Sequence, residues 1–191
     1  GNHSSGKMGY ALAREFATLG ASVILVSGPT TLPTPGPQIE RIDVTTAAEM
    51  YEVASGHFAT CDVAVLAAAV ADYRPTSVAS EKIKKSESES SIALTKTKDI
   101  AAAFGQEKNK QVLVGFALET ENEIENAKAK LLKKNLDIIV LNSLREKGAG
   151  FGFDTNKITI LDKENKIRDF ELKNKQEVAK DIVDVVQERL I

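Results

Sequence analysis

The apolar positions of residues 7–19 recur with helical spacing, and the pattern stops at Gly20. The β-branched run 21–26 follows and ends at Ser27-Gly28-Pro29, so helix, glycine and buried strand make half of a βαβ unit. The proline-bearing segment 30–37 reads as a loop at that strand's carboxyl end. Residues 42–44 read as a short strand, and 46–53 as a second helix capped by Thr45 or Thr46. An uninterrupted apolar run at 63–68 has the pattern of a central parallel strand covered on both faces. The alternation continues with a strand at 92–94, a helix near 99–104, a strand at 112–117, a helix over 121–134 and a strand at 136–141. Past Asn142 the glycine-rich loop 148–152 precedes two strand-like runs, 157–161 and 166–172. Their link, Asp162-Lys163-Glu164-Asn165, predicts a hairpin, and a helix over 175–190 closes the chain. The predicted fold class is α/β: a Rossmann-like three-layer sandwich with a mostly parallel sheet and an antiparallel C-terminal extension. No repeat or linker divides the 191 residues, which read as one domain.

Composition narrows the function classes. A net charge of -2 gives no electrostatic case for nucleic acid or an anionic membrane, so basic residues must act locally. The longest apolar run, 63–71, is about half the length of a membrane-spanning helix. No basic segment introduces it as a secretion signal. Cys61 is the single cysteine and can form neither an internal disulfide nor a zinc cage. It reads as a small core residue of a protein in a reducing cytoplasm. Residues 78–91 break the pattern with lysine, serine and glutamate, and are expected to form a mobile loop.

The opening, Gly1-Asn2-His3-Ser4-Ser5-Gly6-Lys7-Met8-Gly9, is a glycine- and serine-rich turn running into a helix. Unpaired N–H groups and the helix dipole at such a start suit a phosphate, with Ser4 or Ser5 as the expected N-cap. Gly1 and Gly6-Lys7 have P-loop spacing, but Met8 stands where magnesium needs a hydroxyl and no strand precedes the turn. A capped helix start needs no ligand, yet leaves Asn2, His3 and Lys7 together unexplained. His3 reads either as a base or as a structural histidine.

Five motifs in order then carry a resemblance: Asn2-His3-Ser4-Ser5-Gly6-Lys7-Met8-Gly9, Ala68-Ala69-Val70-Ala71-Asp72-Tyr73-Arg74, Glu81-Lys82-Ile83-Lys84-Lys85, Val114-Gly115-Phe116-Ala117-Leu118-Glu119-Thr120 and Lys134-Asn135-Leu136-Asp137. Along nearly the whole chain they resemble phosphopantothenoylcysteine synthetase, whose bacterial form is usually fused behind a flavin-dependent decarboxylase in coenzyme A biosynthesis. The resemblance implies a ligase joining the carboxylate of 4'-phosphopantothenate to the amine of cysteine, with CTP first forming an acyl-cytidylate and with CMP and pyrophosphate released. It also implies Mg2+ accompanying CTP, with no residue singled out as a metal ligand. A homodimer is implied too, in which the flap 78–91 reaches the neighbouring subunit. The chemistry accounts for the residue types. A carboxylate must become a mixed anhydride before an amine can displace its oxygen. Bringing it to a triphosphate costs about 1–4 kcal/mol per pair of like charges near a surface, which lysines and magnesium offset.

By this resemblance Asn2 contacts the acyl-cytidylate and serves its conversion to product, since its amide can donate to a carbonyl whose charge grows during attack. Lys82 resembles the triphosphate-contacting lysine of the flap; taken alone, the run Lys82-Ile83-Lys84-Lys85 would read as solvated surface charge. Leu66, Ala67 and Ala68 fall on backbone contacts to the base, and Asp72 on an aspartate contacting the nucleotide. Asp72 is equally a turn former before Tyr73-Arg74-Pro75. Lys98-Asp99-Ile100-Ala101 aligns with a Pro-Asp-Ile-hydrophobic nucleotide segment, departing from it at Lys98 and Ala101, and Asp99 also suffices as a helix N-cap. Phe116 packs on the nucleotide by resemblance, or is core by its place in an apolar strand. Lys130 and Lys134, one turn apart, match two nucleotide lysines, while Glu119, Glu121, Glu123 and Glu125 ahead of them also suit the helix dipole. The family begins with a strand and a Gly-Thr-Pro turn before the asparagine, so a sheet lacking that strand is expected of residues 1–191.

Two other classes compete. A nicotinamide oxidoreductase would need a GxGxxG fingerprint and an acidic residue after the second strand, and neither is present. A non-catalytic nucleotide-binding module would keep the site without the reaction. Eukaryotic relatives use ATP, and the Lys82-Ile83-Lys84-Lys85 motif resembles the CTP-using bacterial branch.

Overall fold

In the computed structural model, which describes residues 4–79, 81, 91–143 and 153–190, Gly6 turns the chain into α1 (Lys7–Thr18). Its φ of 77° is left-handed, a conformation that glycine adopts at little cost, so Gly6 takes the N-cap expected of Ser4 or Ser5, and no side chain caps the helix. The strand β1 (Val23–Ser27) follows and pairs in parallel with β2 (Ile39–Asp43). Helix α2 (Ala47–Phe58) starts at Thr46, whose hydroxyl accepts the Glu49 N–H while the Glu49 carboxylate accepts the Thr46 N–H, a reciprocal capping box. After β3 (Val63–Leu66), the short strands β4 (Tyr73–Pro75) and β5 (Leu94–Lys96) make a separate antiparallel arm. Then come α3 (Ile100–Glu107), β6 (Val112–Glu119), α4 (Glu123–Lys133) and β7 (Ile138–Ser143). The chain ends with β8 (Thr155–Asn156), β9 (Ile158–Asp162), β10 (Ile167–Asp169), β11 (Lys173–Asn174) and α5 (Lys175–Gln187).

The main sheet has the order β10-β9-β7-β6-β3, with β3, β6 and β7 parallel and β9 and β10 antiparallel. The expected hairpin is present, and Asn165 takes the left-handed turn position at φ 64°. Strand side chains alternate between two apolar layers. Val112, Val114, Ile138 and Val140 face α1 and α5 through Leu12, Val178, Ile182 and Val186. Leu113, Ile139 and Leu141 face α3 and α4 through Phe104, Ala127 and Leu131, and Phe58 of α2 stacks on Phe104 at 4.2 Å. Each large aliphatic side chain so buried contributes about 1.5–3 kcal/mol relative to exposure.

One expectation is corrected. The run 63–68 is not a central strand among the described residues: β3 ends at Leu66, has only β6 beside it, and is half-buried throughout. The strands with neighbours on both edges are β9, β7 and β6. Asp72 lies just ahead of β4, in which Tyr73, Arg74 and Pro75 register against Lys96, Thr95 and Leu94. Among the described residues β1 and β3 each keep one edge without a neighbour, and this break separates the β1-β2 pair from the main sheet. No helix among the described residues is long and apolar enough to cross a membrane.

Candidate functional site

The candidate residues gather where β3 and β6 end, on both faces of the sheet. Leu66 pairs with Gly115 and packs with the α3–α4 layer, while Ala67 turns to the α1–α5 layer. Beside Ala67 the first turn of α1 comes close: a Cβ on Gly9 would lie 3.8 Å from the Ala67 Cβ. Phe116 is on this same face, half-buried against the α1–α5 cluster. It is therefore partly core and partly open, and separated by the sheet from the lysines of α4.

Beyond Ala68, which is exposed, the chain reaches Asp72 at the base of the β4-β5 arm. The Asp72 carbonyl accepts the Thr97 N–H at 2.9 Å, and its side chain is exposed. Thr97 leads directly into Lys98 and Asp99. The Lys98 ammonium sits 3.6 Å from the centre of the Tyr51 ring, a cation–π contact. Asp99 caps α3 by accepting the Ala102 N–H at 3.1 Å, as its alternative reading expected, and it also pairs with Lys134 at 3.0 Å. Burial pushes the Asp99 carboxyl up, but the Ala102 N–H and Lys134 outweigh it and hold the group below its ordinary value. Ile100 is buried in the core and Ala101 is half-buried.

Lys130 and Lys134 reach different carboxylates. Lys130 pairs with Glu119, the last residue of β6, at 2.5 Å, and Lys134 with Asp99. The acidic first turn of α4, with Glu123 and Glu125, and the basic last turn, with Lys130 and Lys133, also suit the helix dipole. The structure thus joins Lys98, Asp99, Lys130 and Lys134 on the α3–α4 side, and places Ala67 and Phe116 across the sheet edge by the open start of α1. Two partners went unrecognised in the sequence, Tyr51 under Lys98 and Glu119 against Lys130. Both lie too far along the chain from their partners for a local pattern to signal them. Asn2 and Lys82 lie outside the described residues, as does most of the flap 78–91.

Among the described residues no three His, Cys, Asp or Glu side chains come together as a metal cage.

The family model described as DNA/pantothenate metabolism flavoprotein C-terminal domain matches residues 1–190. A relative named cysteine/cysteine sulfinic acid decarboxylase, from an unknown prokaryotic organism, is 56% identical over 183 residues, 95% of this chain and 51% of that protein. The coenzyme A biosynthesis bifunctional protein CoaBC of Bacillus subtilis (strain 168) is 43% identical over 182 residues, 95% of this chain and 45% of that protein. The chain spans about half the length of these curated relatives. Among solved structures, the C-terminal domain of a CoaBC protein superposes with a TM-score of 0.83 at 40% identity, covering 98% of this chain and 84% of that one. A Cab2 mutant in complex with phosphopantothenate-cysteine superposes with a TM-score of 0.75 over 99% of this chain and 80% of its own, and at 15% identity it shows a shared fold.

Proposed function

From the premise that this chain belongs to the DNA/pantothenate metabolism flavoprotein C-terminal domain family, we propose that it is a phosphopantothenate–cysteine ligase of coenzyme A biosynthesis. In this reading CTP activates the 4'-phosphopantothenate carboxylate as an acyl-cytidylate, and cysteine then displaces CMP. The observation that carries the reading is the clustering of Asp72, Lys98, Asp99, Lys130 and Lys134 about the ends of β3 and β6, opposite Phe116 and the uncapped start of α1. Open α/β sheets bind ligands outside the carboxyl ends of their strands. The backbone of Leu66, Ala67 and Ala68 would meet the base there, with Phe116 against the nucleotide.

Lys130 and Lys134 would trade their carboxylate partners, Glu119 and Asp99, for phosphate oxygens, so the site is held in order before a nucleotide arrives. Asn2 would donate to the acyl carbonyl during attack. Lys82, on the flap 78–91 of the second subunit of a homodimer, would balance the triphosphate together with Mg2+ bound to it. The exposed apolar residues of the β4-β5 arm, Tyr73 and Leu94, and those flanking it, Val78 and Ile92, support a second copy as the partner. A flavin-dependent decarboxylase, fused or separate, would take the product in the same cytoplasm. The relative named as a decarboxylase matches over 51% of its length, so its name assigns no reaction to the matched half.

The test is pyrophosphate release from CTP with 4'-phosphopantothenate, with and without cysteine, beside the same mixtures with ATP. Release that requires phosphopantothenate and prefers CTP supports the ligase and the nucleotide. CTP binding with no release overturns it in favour of a non-catalytic nucleotide-binding module.

A further inference from the structure

We propose that Tyr51 is a positioning residue of the nucleotide site: its ring holds the Lys98 ammonium ready for a phosphate oxygen of the nucleotide. The inference rests on the nucleotide site of the proposed ligase, and adds to it a residue of α2 that acts through a lysine far along the chain.

The ring is itself fixed from α3. Tyr51 packs on Phe104 with centroids 6.1 Å apart, and Phe104 is 1% exposed and stacked on Phe58. The Tyr51 hydroxyl donates to the carboxylate of Glu107, the last residue of α3, at 3.3 Å. Two contacts from one helix therefore set the ring, and the Lys98 ammonium sits 3.6 Å from its centre. Tyr51 is half-buried and Lys98 exposed, so a side chain that would otherwise sweep through solvent is laid against a rigid aromatic face.

The place of the ring matters as much as its hold. Tyr51 shares an apolar layer with Met50, Leu66 and Val70, and so borders the turn that leaves β3. Met50 also approaches the end of β1: a Cβ on Gly28 would lie 4.0 Å from its methyl carbon. Ligands of open α/β sheets sit outside these strand ends. Lys98 directly precedes Asp99, which holds Lys134, so two ammonium groups are fixed from adjacent residues by different means. An aromatic face orients an ammonium without a negative charge. Lys98 can therefore take a phosphate oxygen without giving up a carboxylate, as Lys134 must. Ordering the side chain before the ligand arrives also lowers the entropy cost of binding.

The experiment is calorimetric titration of the full protein with CTP and with ATP, in Mg2+, for wild type, Tyr51→Phe, Tyr51→Leu, Lys98→Gln and the double variant that joins Tyr51→Leu to Lys98→Gln. Lys98→Gln should weaken binding about tenfold, the loss of one charge-assisted hydrogen bond, and Tyr51→Leu about threefold, the loss of an exposed cation–π contact. Tyr51→Phe keeps the ring and should bind as wild type does. In the Lys98→Gln background Tyr51→Leu should have no further effect, a coupling that a merely structural role of Tyr51 would not produce. An equal loss in both backgrounds, or wild-type affinity in Tyr51→Leu, overturns the proposal and leaves the nucleotide site standing. No binding of either nucleotide by the wild type overturns both. The wild type also gives a reading that does not depend on how a variant folds. The ε-methylene protons of Lys98, assigned by their loss in Lys98→Gln, should show an upfield ring-current shift in NMR of the free protein, and the shift should change with the midpoint of nucleotide binding. An ordinary lysine shift in the free protein overturns the proposal.

Discussion

Asp137 lies 4% exposed at the amino end of β7, where its carboxylate accepts the Lys108 and Lys163 ammonium groups and the Leu113 N–H, each at 2.8 Å. Burial raises its pKa, but these three donors outweigh burial and hold it below the ordinary carboxylate value. Because the folded value is depressed, the stabilisation is fully present above the unfolded pKa of about 3.9 and is lost as pH falls through the folded value. Asp137→Asn should cost about 3 kcal/mol in urea unfolding near neutral pH, since the Lys108 side chain, only 10% exposed, would lose its counter-charge. The gap between wild type and variant should close as pH drops below about 4. The residues proposed as catalytic make a separate prediction. Lys82→Gln should slow formation of the acyl-cytidylate, and Asn2→Asp should slow its reaction with cysteine by about a hundredfold or more, so that the intermediate accumulates. Rapid-quench measurement of the two half-reactions checks both, and wild-type rates in either variant would remove that residue from the mechanism. Asp137 fell inside a motif read from the sequence, yet its role was not legible. Its partners arrive from α3 and from the β9-β10 hairpin, 29 and 26 residues away along the chain.

Helix α3 is fixed to the end of α4 through Gly105. A Cβ there would fall 1.8 Å from the Lys134 carbonyl oxygen, and Asn135, in a left-handed conformation at φ 50°, donates its amide to the Gly105 carbonyl at 2.6 Å. Gly105→Ala should therefore destabilise by about 1–3 kcal/mol, by forcing the two helices apart. It should also weaken nucleotide binding, because the same separation parts Lys134 from Asp99. Thermal unfolding together with nucleotide titration checks the pair of effects. Thr46→Ala removes half of the capping box of α2 and should cost about 1 kcal/mol, without any effect on nucleotide affinity. Helices and their caps were largely legible, since spacing and capping are local. Gly6 as the N-cap of α1 was not, because the left-handed φ that selects glycine appears only once the turn is built.

At the scale of the molecule, the β4-β5 arm carries apolar side chains that its own chain leaves exposed: Tyr73 at 52% and Leu94 at 58%, flanked by Val78 at 85% and Ile92 at 73%. Leu94→Lys with Ile92→Glu should convert the proposed dimer to a monomer in light scattering. The core of β6 and β7, which these residues do not join, should keep its unfolding transition. Loss of pyrophosphate release along with the dimer would tie the flap of one subunit to the site of the other. A wild-type protein that scatters as a monomer would remove the shared site.

Taken by itself, the sequence determined the alternation of helices and strands, the hairpin near Asn165 and the family motifs. Hydrophobic period, turn residues and caps are properties of neighbours along the chain. Only the tertiary structure decided that β3 ends at Leu66 with one edge open, that Tyr73-Arg74-Pro75 is a strand, and that Lys130 and Lys134 answer to Glu119 and Asp99. It alone set the Tyr51 ring under Lys98. Those facts depend on which distant segments meet, and a strand edge or an ion pair has no partner until the chain has folded to supply one.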